Sequence, residues 1–556
     1  MKIVKGLMAA AMLAVATTSG ARVIEHIGDR YLINVNEMEL DGEESLLDVL
    51  MMCPEVLSQD GRTTASPSLL GSYVVRINNI NINMDTEMFL KNTKAREVKQ
   101  IKMCVNPGIM KGTGGMNKVI DLAFRKDEKG TYGKVALEGD TEASGEVFGR
   151  VTNQSGKAWI MSQVAGKLGY SDNLHSTHEA ANVNVDWNIT SKDNLKMQAA
   201  QYYTRSRLDG SAGAYDRKVM GSVSYTRSLA PNGAYANVKV AADYTTADRM
   251  ASGACSRSTS PYGLIEFGFP FIHKNIYVTA GVEAGYSAST NVVADYTDRN
   301  MYEDVYAQVD WKCGKWGVMV GDRFRVYNYW LNRLNAAAAW EGSVSNNYVT
   351  ATVYCNINPH NTLQGLFARR FYGPGNSDFI VGGPNPEEYY TSEIYQRPIY
   401  VSELRYTYQQ KNFNLMALVK NEHQKLSKAA GSDNVLTTGV SAFAHAGVFR
   451  LTAGVDYCWE RYNTAAAGAA YNNWVSCHVA PQVSLESGWR FTANAIYNSR
   501  RFSETYSSIY AQPNFYLDVA ASKRFNRHWL VEAKWHDIVD TRTGSRGVSV
   551  GGTYSF

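Results

Sequence analysis

The sequence predicts a membrane all-β fold: a transmembrane antiparallel β-barrel of about 22 strands with a small α/β domain inside its lumen. Three observations predict it. Across residues 131–556, segments of roughly ten residues alternate apolar and polar side chains, the length a tilted membrane-crossing strand needs. The joins between these segments alternate in length with strand parity, as turns on one side of a membrane and loops on the other require. The first part of the chain follows a different pattern, with short apolar helix-like runs set among a few strands.

The elements follow in chain order. Lys2 and Lys5, the apolar run 6–16 and the small residues Ser19, Gly20 and Ala21 read as a secretory signal over 1–21. The run is shorter than the ~20 residues a spanning helix needs, and no later run is long enough either. A membrane location therefore demands a closed barrel.

Residues 22–130 read as the inner α/β domain. Ser45–Cys53 is a short helix stopped by Pro54, 73–80 a β-type run, 85–92 a second short helix, and 97–103 and 119–124 further strands. The first strand is expected at 31–35, with 22–28 as a short lead-in.

Residues 131–556 read as the barrel. Phe449, Leu451, Ala453, Val455, Tyr457 and Trp459 share one face against Arg450, Thr452 and Asp456. Trp489, Phe491, Ala493, Ala495 and Tyr497 do the same against Arg490, Thr492 and Asn494. Tight joins are expected at 191–193, 231–233, 273–275, 359–361, 410–412, 487–488 and 526–528. Long joins are expected at 171–179, 246–260, 328–345, 372–397, 463–472 and 503–512.

The last strand places Val548, Val550, Gly552, Tyr554 and Phe556 on one face and Ser549, Gly551, Thr553 and Ser555 on the other. An aromatic C-terminus closing such a strand resembles the assembly signal of bacterial outer-membrane barrels, carried here by Tyr554 and Phe556. That resemblance implies the outer membrane of a Gram-negative bacterium, with outer-membrane lipid and the barrel assembly machinery as partners.

Composition narrows the function classes. The net charge of +4 gives no reason to expect nucleic acid as a partner. Seven scattered cysteines without CxxC spacing indicate neither a disulfide framework nor a zinc site. One bridge, Cys458 to Cys477 across an external loop, is compatible with an oxidising compartment.

The inner domain carries a further resemblance. Leu46-Leu47-Asp48-Val49-Leu50 followed by Pro54-Glu55-Val56 is similar to the plug helix of TonB-dependent receptors. Val75-Arg76-Ile77-Asn78-Asn79-Ile80 is similar to that family's strand-turn. Asn106-Pro107-Gly108, with Gly112, Gly114 and Gly115, resembles its closing glycine-rich turn. A phosphate loop is disfavoured, because the Gly-Lys-Ser/Thr ending is missing. The resemblance covers the mature chain and implies a plugged receptor for a scarce nutrient, such as an iron chelate, cobalamin or a glycan. It implies TonB as energy source and a surface lipoprotein as a candidate partner. Between 22 and 28 no good match to the family's TonB-contacting motif is found, which favours the alternative of a non-transporting binding or structural barrel in an envelope complex.

Candidate ligand contacts are few. Tyr372, Tyr389 and Tyr390 lie on the longest external loop, against the plainer reading of a loop packed on itself. Arg369 and Arg370, like Arg500 and Arg501, could steer an anionic ligand or simply pair with carboxylates. His175 and His178, with Glu179, are weak metal candidates in an early loop. His445, His478 and His536 lie near polar lumenal residues, but no nucleophile motif accompanies them, so the chain is read as a non-enzyme with no cofactor.

Overall fold

The computed structural model describes residues 24–27, 30–35, 44–51, 73–77, 80–81, 86–104, 118–125 and 129–556. From the last stretch 142–143, 172–173, 209–212, 250–253, 272–274, 292–295, 335–338, 372–397, 411, 426–431, 465–467, 500, 503–509, 512–513, 527, 537 and 540–546 are left aside. The signal segment, Pro54, the glycine turn 106–115 and the long loop with Tyr372, Tyr389 and Tyr390 lie outside the described residues.

The inner domain is one mixed sheet with two short helices. Its strands are β1 (Ile24–Ile27), β2 (Arg30–Asn34), β3 (Tyr73–Ile77), β4 (Ile80–Asn81), β5 (Val98–Cys104) and β6 (Lys118–Phe124), in the order β1-β2-β5-β6-β3-β4. Only β3 and β6 run parallel. The helices are α1 (Leu46–Met51) and α2 (Thr86–Lys91). Ile33, Leu46, Val49, Leu50, Phe89, Leu90, Ile101 and Leu122 are fully buried between helices and sheet. One expectation changes here. The lead-in 22–28 contains β1, which pairs antiparallel with β2 from Ile24↔Ile33 to Ile27↔Arg30.

The barrel runs from β7 (Gly130–Asp140) to β31 (Gly547–Ser555) and closes where these two strands pair, Val550 opposite Gly139. Among the described residues twenty-two strand positions complete the ring, all antiparallel. One position is broken into β14 (Ala254–Thr259) and β15 (Tyr262–Pro270). Pro261 causes the break, because it has no N–H to give the ladder.

Burial is the inverse of a soluble protein's. Leu137, Val164, Val240, Val305 and Trp535 point outward and exposed, while Asn182, Asn184, Asp186, Gln198 and Gln308 are buried inside. Such an outer face is stable only against lipid. The aromatic ends match, with Trp529, Tyr554 and Phe556 clustered at one rim.

On the short-turn side the expected joins at 191–193, 231–233, 359–361 and 487–488 link paired neighbouring strands, while those at 273–275, 410–412 and 526–528 lie partly outside the described residues. Gly314 and Gly447 open two-residue hairpin turns at φ 57°, a conformation that favours glycine. The opposite side differs. Four expected long joins shorten, because the strands run on to Ser171, Arg249, Arg333 and Thr464 and resume at Leu174, Ala254, Ala339 and Gly468. Several strands reach 18 residues, well beyond the roughly ten that cross a bilayer. Beyond the lipid both faces meet water, so the alternation that marks a strand in sequence fades there.

Cys458 and Cys477 do not form a bridge. Cys458 lies buried toward the lumen, on the face of Asp456, whereas Cys477 shares the outward face of Val479. Side chains on opposite faces of adjacent strands cannot meet.

Candidate functional site: the plug, its wall and the cavity between them

The inner domain is fastened to the lumenal wall by charge. At the start of α1, Ser45 and Asp48 form a capping box. Ser45 N–H donates to Asp48 Oδ2 at 2.9 Å, and Asp48 N–H donates to Ser45 Oγ at 3.1 Å. The same Asp48 carboxylate accepts from Arg490 Nη1 of β26 (Trp489–Asn498) at 2.9 Å. Just before α1, Glu44 accepts from Arg450 Nη1 of β24 (Phe449–Thr464) at 2.9 Å, and both side chains are nearly inaccessible.

The segment after α2 makes the next contact. Arg150 of β8 (Gly145–Gln154) donates to both oxygens of Glu97 at 2.6 Å and to Thr93 Oγ1 at 2.9 Å. Thr93 in turn donates to Phe89 O at 2.8 Å, which fixes the C-terminal end of α2. Lys91 closes the set, 2.5 Å from Glu138 of β7 and 3.5 Å from Glu532 of β30 (Trp529–His536). Burial alone would push the Lys91 ammonium down, but the Glu532 and Glu138 carboxylates outweigh it and hold its pKa above the usual lysine value.

One apolar contact joins these. Phe124 at the end of β6 packs on Trp159 of β9 (Ala158–Ser171), centroids 5.1 Å apart, beside Phe148 and Met161. These attachments fall on both sides of the closure seam.

Beside the attachment lies a cavity of about 1210 Å³. Ser45, Asp48, Lys91 and Lys94 of the plug line one side; wall residues from His536 and Lys534 down to the short turns at Gly447, Leu485 and Asn526 line the other. Lys91 with its two glutamates stands at the edge of this space, and so does the Asp48–Arg490 pair. Parting these partly exposed pairs exchanges ionic contacts for water, whereas drawing Phe124 off Trp159 exposes apolar surface.

A second charged cluster lies on the lumenal wall further round. Arg325 of β18 (Trp316–Arg333) donates from Nε and Nη2 to the two oxygens of Asp304 at 2.6 Å. Arg323 reaches Asp304 at 2.5 Å and Glu283 at 3.3 Å. Tyr302 donates to Glu283 at 3.0 Å, and Tyr306 and Tyr235 each donate to Glu266 at 2.7 Å. Both guanidiniums lie 4.5 Å over tyrosine rings. Two arginines face three carboxylates, so the cluster stiffens the wall and offers an anion no spare positive charge. Sequence reading missed it, since only register brings Glu283, Asp304 and Arg323 together.

The sequence-derived candidates fall as follows. Arg76 lies in β3, half-buried, opposite Asn81 on one side and Asp121 on the other. Arg370 is turned to the lumen, and Arg369 outward with Phe367, its guanidinium 5.0 Å over Phe371. The side chain of Arg501 and all of Arg500 lie outside the described residues. His175 and His178 sit in strand β10 (Leu174–Asn188) and not in a loop, because that strand runs on past the lipid. Three residues apart on a strand, they take opposite faces; His178 Nδ1 lies 3.2 Å from Thr204 Oγ1. No metal-holding group of three His, Cys, Asp or Glu occurs among the described residues. His536 Nε2 lies 3.0 Å from Ser549 Oγ, His445 Nε2 lies 2.8 Å from Gly447 O, and His478 is buried. At the chain end, Phe556 N and Gly133 O, and Gly133 N and Phe556 O, pair at 3.0 Å, seating the terminal residue on β7.

No protein-family model and no curated protein sequence matches the chain. Solved structures do match over its whole length. The siderophore receptor PiuA from Acinetobacter baumannii superposes with a TM-score of 0.71 at 10% identity, covering 98% of this chain and 99% of its own. The ferric-catecholate import receptor Fiu from E. coli K12 gives 0.69 at 10% identity over 96% and 97%. The FrpB iron transporter from Neisseria meningitidis gives 0.67 at 10% identity over 87% and 93%. The chain shares their fold. It is the plug-and-barrel architecture that the sequence resemblance to TonB-dependent receptors implies, and the proteins that share it here are receptors and a transporter, not enzymes.

Proposed function

We propose that this chain is an outer-membrane receptor that takes up a scarce nutrient, most simply an iron chelate, with the plug gating the barrel and TonB supplying energy. The apolar outer face puts the barrel in lipid, and the long-loop side is then external, the short turns periplasmic. The observation that carries the reading is the ionic docking of the plug beside a cavity that reaches the short-turn side. At the cavity edge the partly exposed Asp48–Arg490 and Lys91–Glu532 pairs can exchange for water at modest cost, whereas the enclosed Glu44–Arg450 and Glu97–Arg150 pairs set the load that a pull on the plug must overcome. Iron chelates rank ahead of cobalamin and glycans because the structures sharing the fold are described as siderophore or iron receptors. The external loop with Tyr372, Tyr389 and Tyr390, together with Arg370, is the proposed ligand-contacting region.

β1 forms the edge of the plug sheet, and a free sheet edge accepts an added strand. That edge is the proposed TonB contact. Tyr554 and Phe556 are the proposed recognition end for the barrel assembly machinery, and Asn106, Pro107, Gly108, Gly112, Gly114 and Gly115 the proposed closing turn of the plug.

The test is growth and chelate uptake by a gene-deletion strain under iron limitation, complemented by an Asp48→Cys/Arg490→Cys variant whose two thiols are joined by a disulfide-containing bifunctional maleimide, since a direct disulfide cannot replace the reach of the arginine. Uptake should fail in the deletion, fail in the cross-linked variant, and return on reduction of the linker. Normal growth of the deletion strain on limiting iron, cobalamin and glycans alike would remove the transport reading. A second reading then takes its place, a non-transporting barrel in an envelope complex, favoured by the lack of a good match to the TonB-contacting motif over 22–28. Co-purification of a surface lipoprotein independent of TonB would support it.

A further inference from the structure

The outward face carries one sector that is not apolar. Toward their long-loop ends, Arg205 and Arg207 of β11 (Asp193–Leu208), Arg217 of β12 (Ala214–Ser228), Arg257 of β14 and Arg299 of β17 (Tyr296–Cys313) are all exposed. Register shows that they point away from the lumen. Tyr203, Arg217, Thr246, Arg257 and Thr290 form one continuous cross-strand row. Arg299, opposite Ala288, shares that face. On the same faces, nearer the middle of each strand, stand Val219, Val240, Val282 and Val305, all exposed, with Tyr244 and Tyr286 between the valines and the cations.

These arginines also differ from the lumenal ones in their partners. Arg150, Arg323, Arg325, Arg405, Arg450 and Arg490 each have a carboxylate within 2.9 Å. Among the described residues none of the five outward arginines forms an ion pair. Among the described residues the acids sharing the sector are Glu179, Asp248 and Glu303, and Asp248 already accepts from Tyr215 at 2.9 Å. Among those residues the surplus is positive. Elsewhere at this rim, Arg369 and Arg461 face outward singly, and the long-loop ends of β7 to β9 offer Gly139, Gly145 and Leu168 instead.

We infer that this row is a binding site for a phosphorylated glycolipid of the external leaflet. The inference rests on the membrane orientation given above, and not on the plug or on transport. Valines below would take acyl chains, tyrosines the interface, and arginine forks the phosphates, which they match in two-pronged geometry. A row of cations across several strands suits a headgroup with two phosphates; a phospholipid with one would leave most of it unanswered.

The test uses full-length protein in detergent and, as probe, bisphosphorylated lipid A, with the same lipid dephosphorylated and phosphatidylglycerol as comparisons. Native mass spectrometry reads the bound fraction. Wild type should hold lipid A through detergent exchange and lose the dephosphorylated form. In Arg205→Ala/Arg217→Ala/Arg257→Ala the affinity should fall about fivefold for each arginine removed, while Arg461→Ala on β24 changes nothing. Heat-dependent gel mobility shows whether the variants have folded, and the wild-type comparison of lipids stands without them. Equal binding of the three lipids, or undiminished lipid A on a folded triple variant, overturns the site. Loss of lipid with intact nutrient uptake supports it and leaves the transport proposal standing.

Discussion

Arg450 donates a 2.9 Å hydrogen bond to Glu44 across 406 residues of chain, joining a late barrel strand to the start of the plug. Both side chains are almost wholly enclosed. Removing one partner strands a buried charge, which typically costs about 3–5 kcal/mol, whereas replacing both with apolar groups can be neutral. Arg450→Met should therefore weaken plug docking strongly, and Glu44→Met in the same chain should restore much of the loss. Hydrogen exchange of the segment 44–51 reads the docking, with heat-dependent gel mobility as the check on the barrel.

Arg150 and Arg490 should separate by burial. Arg150 is enclosed and serves both Glu97 and Thr93, whereas Arg490 and Asp48 retain 17% and 28% of their side-chain exposure. Arg150→Met is expected to loosen the plug by about 3–5 kcal/mol, Arg490→Met by roughly 0–1 kcal/mol. Proteolysis at the plug under native conditions, compared between the two variants, measures the ranking.

Lys91 predicts the alkaline behaviour. Its folded pKa lies above the unfolded value, so its contribution is complete below the usual lysine pKa of about 10.4 and is lost only as pH rises through the higher folded value. Protection of α2, corrected for intrinsic exchange, should stay level from about pH 7 to pH 10. Lys91→Met should remove it throughout.

At the barrel seam, a Cβ on Gly133 would run into the Phe556 ring and the backbone of Arg150. Gly133→Ala should accordingly slow barrel closure, as should deletion of Phe556, which removes both hydrogen bonds to Gly133. Pulse-labelled appearance of the heat-modifiable band gives the rate.

The cysteine geometry makes a simpler prediction. Cys458 and Cys477 should remain free thiols in oxidised, purified protein, with no disulfide between them in a peptide map. A Cys458–Cys477 linked peptide would contradict the register of β24 and its neighbour.

The barrel was legible because a period of two survives in single segments. Phe449, Val455 and Tyr457 alternate with Arg450, Thr452 and Asp456, and lipid and lumen exert opposite demands on them. The ends of strands were not legible. Where β10 leaves the lipid, His175 and His178 meet water on both sides and look like loop residues. The site was least legible of all. Asp48 was recognised only as part of a helix motif, and nothing local reveals that Arg490 answers it, or that Glu283, Asp304 and Arg323 share one patch of wall. Pairings of that kind are set by ring register, not by any neighbourhood in the chain.

The attachments of the plug also bear on the order of assembly. Glu138 and Arg150 belong to the first strands made, while Arg450, Arg490 and Glu532 belong to the last. Until the final hairpins arrive, Glu44 lacks its contact with Arg450, Asp48 lacks Arg490, and the wall holds the plug along one flank only. An unfinished cylinder therefore keeps a loosely seated cork, and stitching the two ends of the wall together also secures it. Truncated nascent chains should betray this as a plug that proteases can reach.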